Sequence, residues 1–266
     1  YKNIYLQNIC TIKNKWKSIY KFTNPFTNDI INPIERFYFT DHIKNVLTIF
    51  LMWFIGEKGG FTMLLSTYQK VIALFESGNG YRNASELKDA KITTVQIKEL
   101  VNKGIVEHVS HGFYWLIDEE NGKPENYQFI EACMVNPRAV ICADSACYFH
   151  GLIDKMPETL SVATLKTDRS RMQLNFPVCR HYYSNLAFEQ DMDTVETPYG
   201  QIRVYGVERS VCDCIRFRDD IGQEMLDLVI SNFLERNGNQ MDRLLAYADA
   251  MRVGKIVRIK LNQIEE

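Results

Sequence analysis

The 266-residue sequence has no excess of positive charge: 31 Lys and Arg stand against 33 Asp and Glu, a formal net charge of −2. No overall basic field therefore announces a nucleic-acid partner. No Cys-x-x-Cys pair occurs among the seven cysteines, their number is odd, and no secretory signal opens the chain. Reduced intracellular thiols in a cytoplasmic protein are expected, rather than a disulfide framework. The longest apolar run, Val46 to Ile55, is too short to cross a bilayer as a helix, which argues for a buried or interfacial segment and against a membrane partner. No phosphate-loop lysine follows the turn Gly78-Asn79-Gly80, and no Ser/His/Asp order with supporting motifs stands out. These absences point away from an enzyme and from a cofactor. What is present is a globular balance, 46% hydrophobic and 24% charged residues, on a chain long enough for two domains with a core each.

Alanine is absent before Ala73, and the chain opens on Tyr1 rather than methionine. The opening stretch is crowded with Ile, Asn, Lys, Phe and Tyr, residues whose codons are dominated by A and T. Lys58-Gly59-Gly60 can be encoded as a bacterial ribosome-binding sequence, with Phe61-Thr62 as the spacer before Met63. The expectation is a native start at Met63, with residues 1–62 a non-native or poorly ordered extension kept out of fold reasoning. A real N-terminal domain with amphipathic pieces is the competing reading, and N-terminal sequencing of the natural protein decides between the two.

Beyond that point the periodicity sharpens. Tyr68, Val71, Ile72 and Phe75 fall at i, i+3, i+4 and i+7, one face of a helix capped by Ser66 and ended at Gly78. Asn83-Ala84-Ser85-Glu86 predicts a capping box that opens a short second helix through Ala90, and Thr93-Thr94-Val95-Gln96 a second box that opens a third. Ile97, Leu100 and Val101 form its inward stripe, and Gly104 ends it. Ile105–Val109 and Phe113–Ile117 flank Ser110-His111-Gly112 as a hairpin. Helix, short helix, turn, helix and two-stranded wing is the order of a winged helix-turn-helix, over residues 63–118. A helix fits the major groove and presents its outward side chains to base edges. The candidate DNA contacts are therefore Thr94, Val95, Lys98 and Asn102 on the third helix, with Lys91, Arg82 and the wing residues His108, Ser110 and His111 on the phosphate backbone. The same shape also serves as a protein-docking module, and residues 63–118 hold six Lys or Arg against six Asp or Glu.

Residues 119–126 sit in a polar stretch that reads as an interdomain linker, and residues 127–266 read as a mixed α/β domain. Helices are expected over Tyr127–Asn136 and from a cap at Asp144 to His150. Strands are expected over Leu160–Leu165 and Val178–Tyr183, then a hairpin about Pro198-Tyr199-Gly200. Helices Val207–Phe217, Gly222–Arg236 and Met241–Met251 complete an α+β chain. Lys166, Arg169 and Arg171, with Arg180 and His181, form the basic cluster of this half, a second surface for DNA or RNA or simply a solvent-facing loop. Cys142, Cys147 and His150 match no standard zinc spacing and lack a fourth ligand, so no metal site is expected there. Arg209 and Asp213 are an i, i+4 ion pair that pins a helix to the sheet, and Asp219, Asp220 and Glu224 suit a solvated helix start.

Several segments resemble one family. Ala84-Ser85-Glu86-Leu87, the run Leu100-Val101-Asn102-Lys103-Gly104-Ile105-Val106 and the wing His111-Gly112-Phe113-Tyr114 look like the N-terminal domain of AbiEi antitoxins. Ala146–Leu152 followed by Pro157, and Val204–Cys214, are similar to segments of that family's second domain, in the same order. Two features differ from its pattern: His111 stands where arginine is usual, and the third helix is less basic. The resemblance implies a transcriptional autorepressor and antitoxin of a type IV toxin–antitoxin system in phage abortive infection. Its partners would be inverted repeats in operator DNA upstream of its own operon and a nucleotidyltransferase toxin, counteracted without a stable complex. Two other classes stay open. One is a DNA-linked nuclease or nucleotide-processing enzyme, whose metal-dependent activity would fail on mutating Asp213 or Asp220. The other is a ligand-sensing repressor without a toxin.

Overall fold

The computed structural model describes residues 63–265 except 119, 237 and 239, all within one compact unit, Thr62–Glu266. The expectations for residues 1–62, including the apolar run Val46–Ile55, lie outside the described residues. Those described form a mixed α/β structure of eleven helices and eight strands in two sheets. None of their helices is long and apolar enough to cross a membrane.

Helix α1 (Leu65–Glu76) buries Val71 and Phe75 completely, the i, i+4 pair of the expected stripe. Its N-cap is Leu64, without a side-chain cap, so Ser66 lies inside the first turn instead of capping it. After α1 the chain turns through Gly80 (φ 87°), where a Cβ would sit 2.3 Å from the Trp115 ring. Only glycine fits so close an approach at that backbone angle. Strand β1 (Tyr81–Asn83), which periodicity did not reveal, then leads into α2 (Ala84–Asp89). Both predicted capping boxes form. Asn83 accepts from the Glu86 N–H at 3.0 Å and Glu86 from the Asn83 N–H at 2.8 Å. Thr93 and Gln96 exchange the same pair of bonds to open α3 (Thr94–Asn102). Strands β2 (Val106–Ser110) and β3 (Phe113–Leu116) follow, and the sheet runs β1-β3-β2, antiparallel throughout.

The second sheet has the order β6-β5-β4-β8-β7, from β4 (Val140–Ile141), β5 (Leu160–Leu165), β6 (Val178–Tyr183), β7 (Met192–Thr197) and β8 (Gly200–Tyr205). The β7–β8 hairpin turns on Pro198-Tyr199, pairing Thr197 with Gly200. Helices α4 (Tyr127–Val135), α5 (Ala143–Phe149) and α6 (Asn185–Phe188) connect the strands. Behind them come α7 (Val207–Arg216), α8 (Arg218–Ile221), α9 (Gln223–Glu235), α10 (Met241–Ala250) and α11 (Gly254–Glu265). The N-cap of α5 is Cys142, and Asp144 lies in its first turn, so Asp144 does not cap it.

Alternate residues of the central strands serve two cores, as a period of two requires. Val140, Ala163 and Tyr205 pack with α5, α7 and α9–α11. Ile141, Val162, Ile202 and Val204 pack on the other side with Phe129 and Ile130 of α4 and with Tyr81, Val109 and Trp115 of the first sheet. The segment read as a linker joins the first sheet to α4, and Tyr81, Val109 and Trp115 of that sheet pack in one cluster with Phe129 and Ile130 of α4.

Helix α7 carries the predicted ion pair in an unexpected setting. Arg209 and Asp213 are both fully buried, 3.6 Å apart. The Arg209 guanidinium lies 3.7 Å over the Tyr205 ring and donates to the Gln190 carbonyl. Burial pushes the Asp213 carboxyl up to about 6 despite the attraction of Arg209. Removing one partner of such a pair costs far more than replacing both. Arg209→Met should lower unfolding stability by about 3–5 kcal/mol, and adding Asp213→Leu should restore most of it. Urea denaturation measures both; two losses that simply add would contradict the pairing.

Candidate nucleic-acid interface

The corner between α2 and α3 is built by local chemistry. Ala90 ends α2, Lys91 takes a left-handed conformation (φ 62°), and Ile92 is buried with its N–H on the Leu87 carbonyl at 2.9 Å. Lys70 of α1 donates to the Ala90 carbonyl at 2.7 Å, satisfying an orphan acceptor at the helix end. Helix α3 then turns Ile97 and Leu100 inward, 4% and 0% exposed, and leaves Thr94, Val95, Lys98 and Asn102 on the outside. Val95, an apolar side chain on the first turn, is 70% exposed.

Charge is neutral by count in this half, but it is sorted in space. Glu86 closes a capping box and lies 3.9 Å from Arg82, Glu99 lies 4.0 Å from Lys103, and Glu107 is held by Lys123 at 2.8 Å. Lys88, Lys91 and Lys98 are exposed and enter no ion pair among the described residues. Asp89, exposed and in no ion pair among the described residues as well, stands between Lys88 and Lys91 at the α2–α3 corner, and Lys98 lies on the outward face of α3.

The other predicted contacts divide. His108 and His111 are exposed, His108 edge-on to Tyr114. Ser110 is not available to a phosphate: it is buried, and its hydroxyl donates to the Gln173 carbonyl at 2.6 Å. Arg82 is spent inside the fold, donating to the Tyr81 carbonyl and the Ser77 hydroxyl. The hairpin tip does not project freely either, since the Ala84 N–H donates to the Gly112 carbonyl at 2.7 Å.

A buried network closes the other side of the first sheet. The carboxylate of Glu131 on α4, wholly buried, accepts from the Tyr81 hydroxyl at 2.9 Å and from Lys123 Nζ at 2.7 Å. Lys123 also donates to Glu107, which accepts from Asn175 at 2.9 Å. Burial raises the Glu131 carboxyl above its ordinary value, outweighing the pull of Lys123 and Tyr81. Burial opposes the charge on Lys123 as well, yet its bonds to the two glutamates leave its pKa raised. Burial and the Glu131 charge together push the Tyr81 hydroxyl far up.

Of the basic cluster in the second half, Lys166, Arg169 and Arg171 are exposed. Arg180 instead braces the loop from below, donating to the Ser170 carbonyl at 2.7 Å and lying 3.6 Å from Asp168. His181 is buried against Phe217, ring centroids 3.9 Å apart. Cys142 and Cys147 are buried, Cys147 facing Cys214 at 3.8 Å, and His150 bonds the Tyr205 carbonyl at 2.7 Å. These three residues are structural. A different group comes together: ligand atoms of Cys179, His181 and Asp220 lie within 4.8 Å of one another. The i, i+2 spacing of Cys179 and His181 on a strand was its sequence signal; the approach of Asp220 from α8 had none.

No family model matches the chain, and no curated protein matches it. Among solved structures it is similar to the crystal structure of the Rv2827c protein from Mycobacterium tuberculosis. The two are 12% identical with a TM-score of 0.45, over 75% of this chain and 82% of that one.

The network makes a pH prediction. Glu131 titrates above its unfolded value, so its contribution to stability is greatest in acid and is lost as pH rises through the raised titration. Lys123→Met leaves the carboxylate without its cation and should cost on the order of 2 kcal/mol at neutral pH, less than a fully buried pair because Lys123 keeps some solvent. The loss should shrink as Glu131 takes up a proton at mildly acid pH. Thermal denaturation at the two pH values measures it, and an equal loss at both would count against the network.

Proposed function

We propose that residues 63–118 are a winged helix-turn-helix that binds duplex DNA, with α3 as the helix in the major groove. The observation that carries this reading is the outward face of α3: an exposed Val95, Thr94, Lys98 and Asn102, with the exposed Lys88 and Lys91 nearby. With its side chains an α-helix is about 10–12 Å across, suited to a groove about 12 Å wide. Asn102 has the bidentate chemistry that reads adenine, Lys98 suits a guanine edge or a phosphate, and Val95 suits a thymine methyl. Lys88 and Lys91 contribute the electrostatic, sequence-independent attraction. His108 and His111 are the remaining wing contacts, and Ser110 and Arg82 drop out.

The likeness of several segments to AbiEi antitoxins extends the proposal. On that reading the chain represses its own operon through inverted repeats and counteracts a nucleotidyltransferase toxin without a stable complex. The second half supplies the antitoxin activity, with Lys166, Arg169 and Arg171 as its exposed basic surface.

The test is a salt-dependent titration of the whole protein against DNA from upstream of its own gene. Lys98→Ala should weaken binding and reduce the slope of log affinity against log salt by about 1. Asn102→Ala should relax preference at one base pair by about 1–3 kcal/mol. Binding that is indifferent to sequence and to both substitutions would leave the corner as a protein-docking surface.

A further inference from the structure

We propose that Cys179, His181 and Asp220 bind a zinc ion through the thiolate sulfur, a ring nitrogen and a carboxylate oxygen, leaving the fourth position to water. The geometry is assembled by two elements. Cys179 and His181 share one side of β6, two residues apart, while Tyr183, next on that side, is buried in the core. Phe217 caps α7 and stacks on the His181 ring at 30°, and α8 brings the Asp220 carboxylate to 4.0 Å from Nδ1. Stacking covers the face of the ring and leaves its nitrogens, whose lone pairs lie in the ring plane, free to coordinate.

His181 is buried, yet neither nitrogen makes a hydrogen bond to a described residue. Nε2 is shielded from solvent without a partner, and Nδ1 lies 4.0 Å from the Asp220 carboxylate, beyond hydrogen-bond range. Nδ1 is the nitrogen that faces the Asp220 carboxylate, and a metal held there would engage it. Cys179 differs from the other described free cysteines, which are all buried, in being partly exposed and so reachable by an ion.

Tetrahedral zinc with sulfur at about 2.3 Å and nitrogen or oxygen at about 2.0–2.2 Å places its ligand atoms roughly 3.4–3.6 Å apart. The three atoms here need to close by up to about 1.2–1.4 Å from their 4.8 Å limit. Asp220, its side chain 59% exposed, can swing to do so. Sulfur, nitrogen and oxygen together suit a borderline cation rather than magnesium or calcium, which prefer all-oxygen sites. Coordination releases the thiol proton, and one thiolate plus one carboxylate then neutralise the divalent ion. Arg216, the cation on this side with its guanidinium over the Phe217 ring, meets no net positive charge.

The experiment uses the full chain, stripped with a chelator and titrated with Co2+ as the spectroscopic probe. One equivalent should bind with thiolate-to-cobalt charge-transfer absorption and tetrahedral d–d bands, both abolished by added Zn2+. Cys179→Ser should remove the charge-transfer band. Asp220→Asn, at an exposed position, should leave the melting temperature of the stripped protein unchanged and weaken Co2+ by at least the roughly 10–100-fold that an outer-shell change costs. Absence of the band at one equivalent, its persistence in Cys179→Ser, or unaltered affinity in Asp220→Asn would overturn the site.

Discussion

A single buried carboxylate organises the joint on which the first half of the structure depends. Glu131 lies in the apolar layer beneath the first sheet with no exposed surface, and an isolated charge there would cost several kcal/mol. It is made tolerable by Tyr81 from β1 and by Lys123 from the bridging segment, and Lys123 in turn holds Glu107 of β2. Three stretches far apart in sequence must therefore arrive together. Trp115 and Val109 pack in the same cluster as Ile202 and Val204, so polar and apolar requirements demand the same placement of the sheet.

That placement bears on the proposed DNA interface. The face of the first sheet toward α4 is consumed by the joint, and Gln173 and Asn175 cover part of the hairpin. What stays open is the opposite corner, where α2 meets α3. The charge arithmetic changes meaning there. A count of six against six predicts weak attraction to phosphate, and three of the acidic residues are spent on a cap, on a helical pair and on Lys123, while Glu76 and Asp89 stay exposed and Asp118 partly so. The lysines at the corner are not spent. An interface can thus be locally basic on a chain with a net charge of −2.

The elements that were legible in the sequence are those whose signal is local. Both capping boxes, the inward stripe of α3 and the β7–β8 hairpin need only neighbours within a few residues; the boxes and the hairpin formed as expected, and of the stripe Ile97 and Leu100 are buried and Val101 half-buried. Strand β1 was hidden because three residues, Tyr81-Arg82-Asn83, carry no periodicity and become a strand only by pairing with β3. Helix α11 was hidden for the opposite reason. Ile256-Val257-Arg258-Ile259-Lys260-Leu261 alternates like a strand, and burial of Val257 and Leu261 at i, i+4 against the other helices decides for a helix. The site residues divide the same way. Thr94, Val95, Lys98 and Asn102 follow from helical phase alone. The role of Ser110 depends on a partner 63 residues away, Gln173, which no local pattern encodes, while Arg82 and Arg180 turn to Ser77 and Ser170 across chain reversals that helical or strand phase does not describe.

The claim that the outward face of α3 meets DNA is tested most directly by crosslinking. A benzophenone side chain carried at position 95 is irradiated with duplex DNA from upstream of the gene, and one carried at position 228, an exposed apolar position in the second half, serves as the control. The account predicts a protein–DNA adduct from position 95, suppressed by salt, and none from position 228. An adduct from position 228 alone, or none from position 95 under conditions where the protein retains DNA, would contradict it.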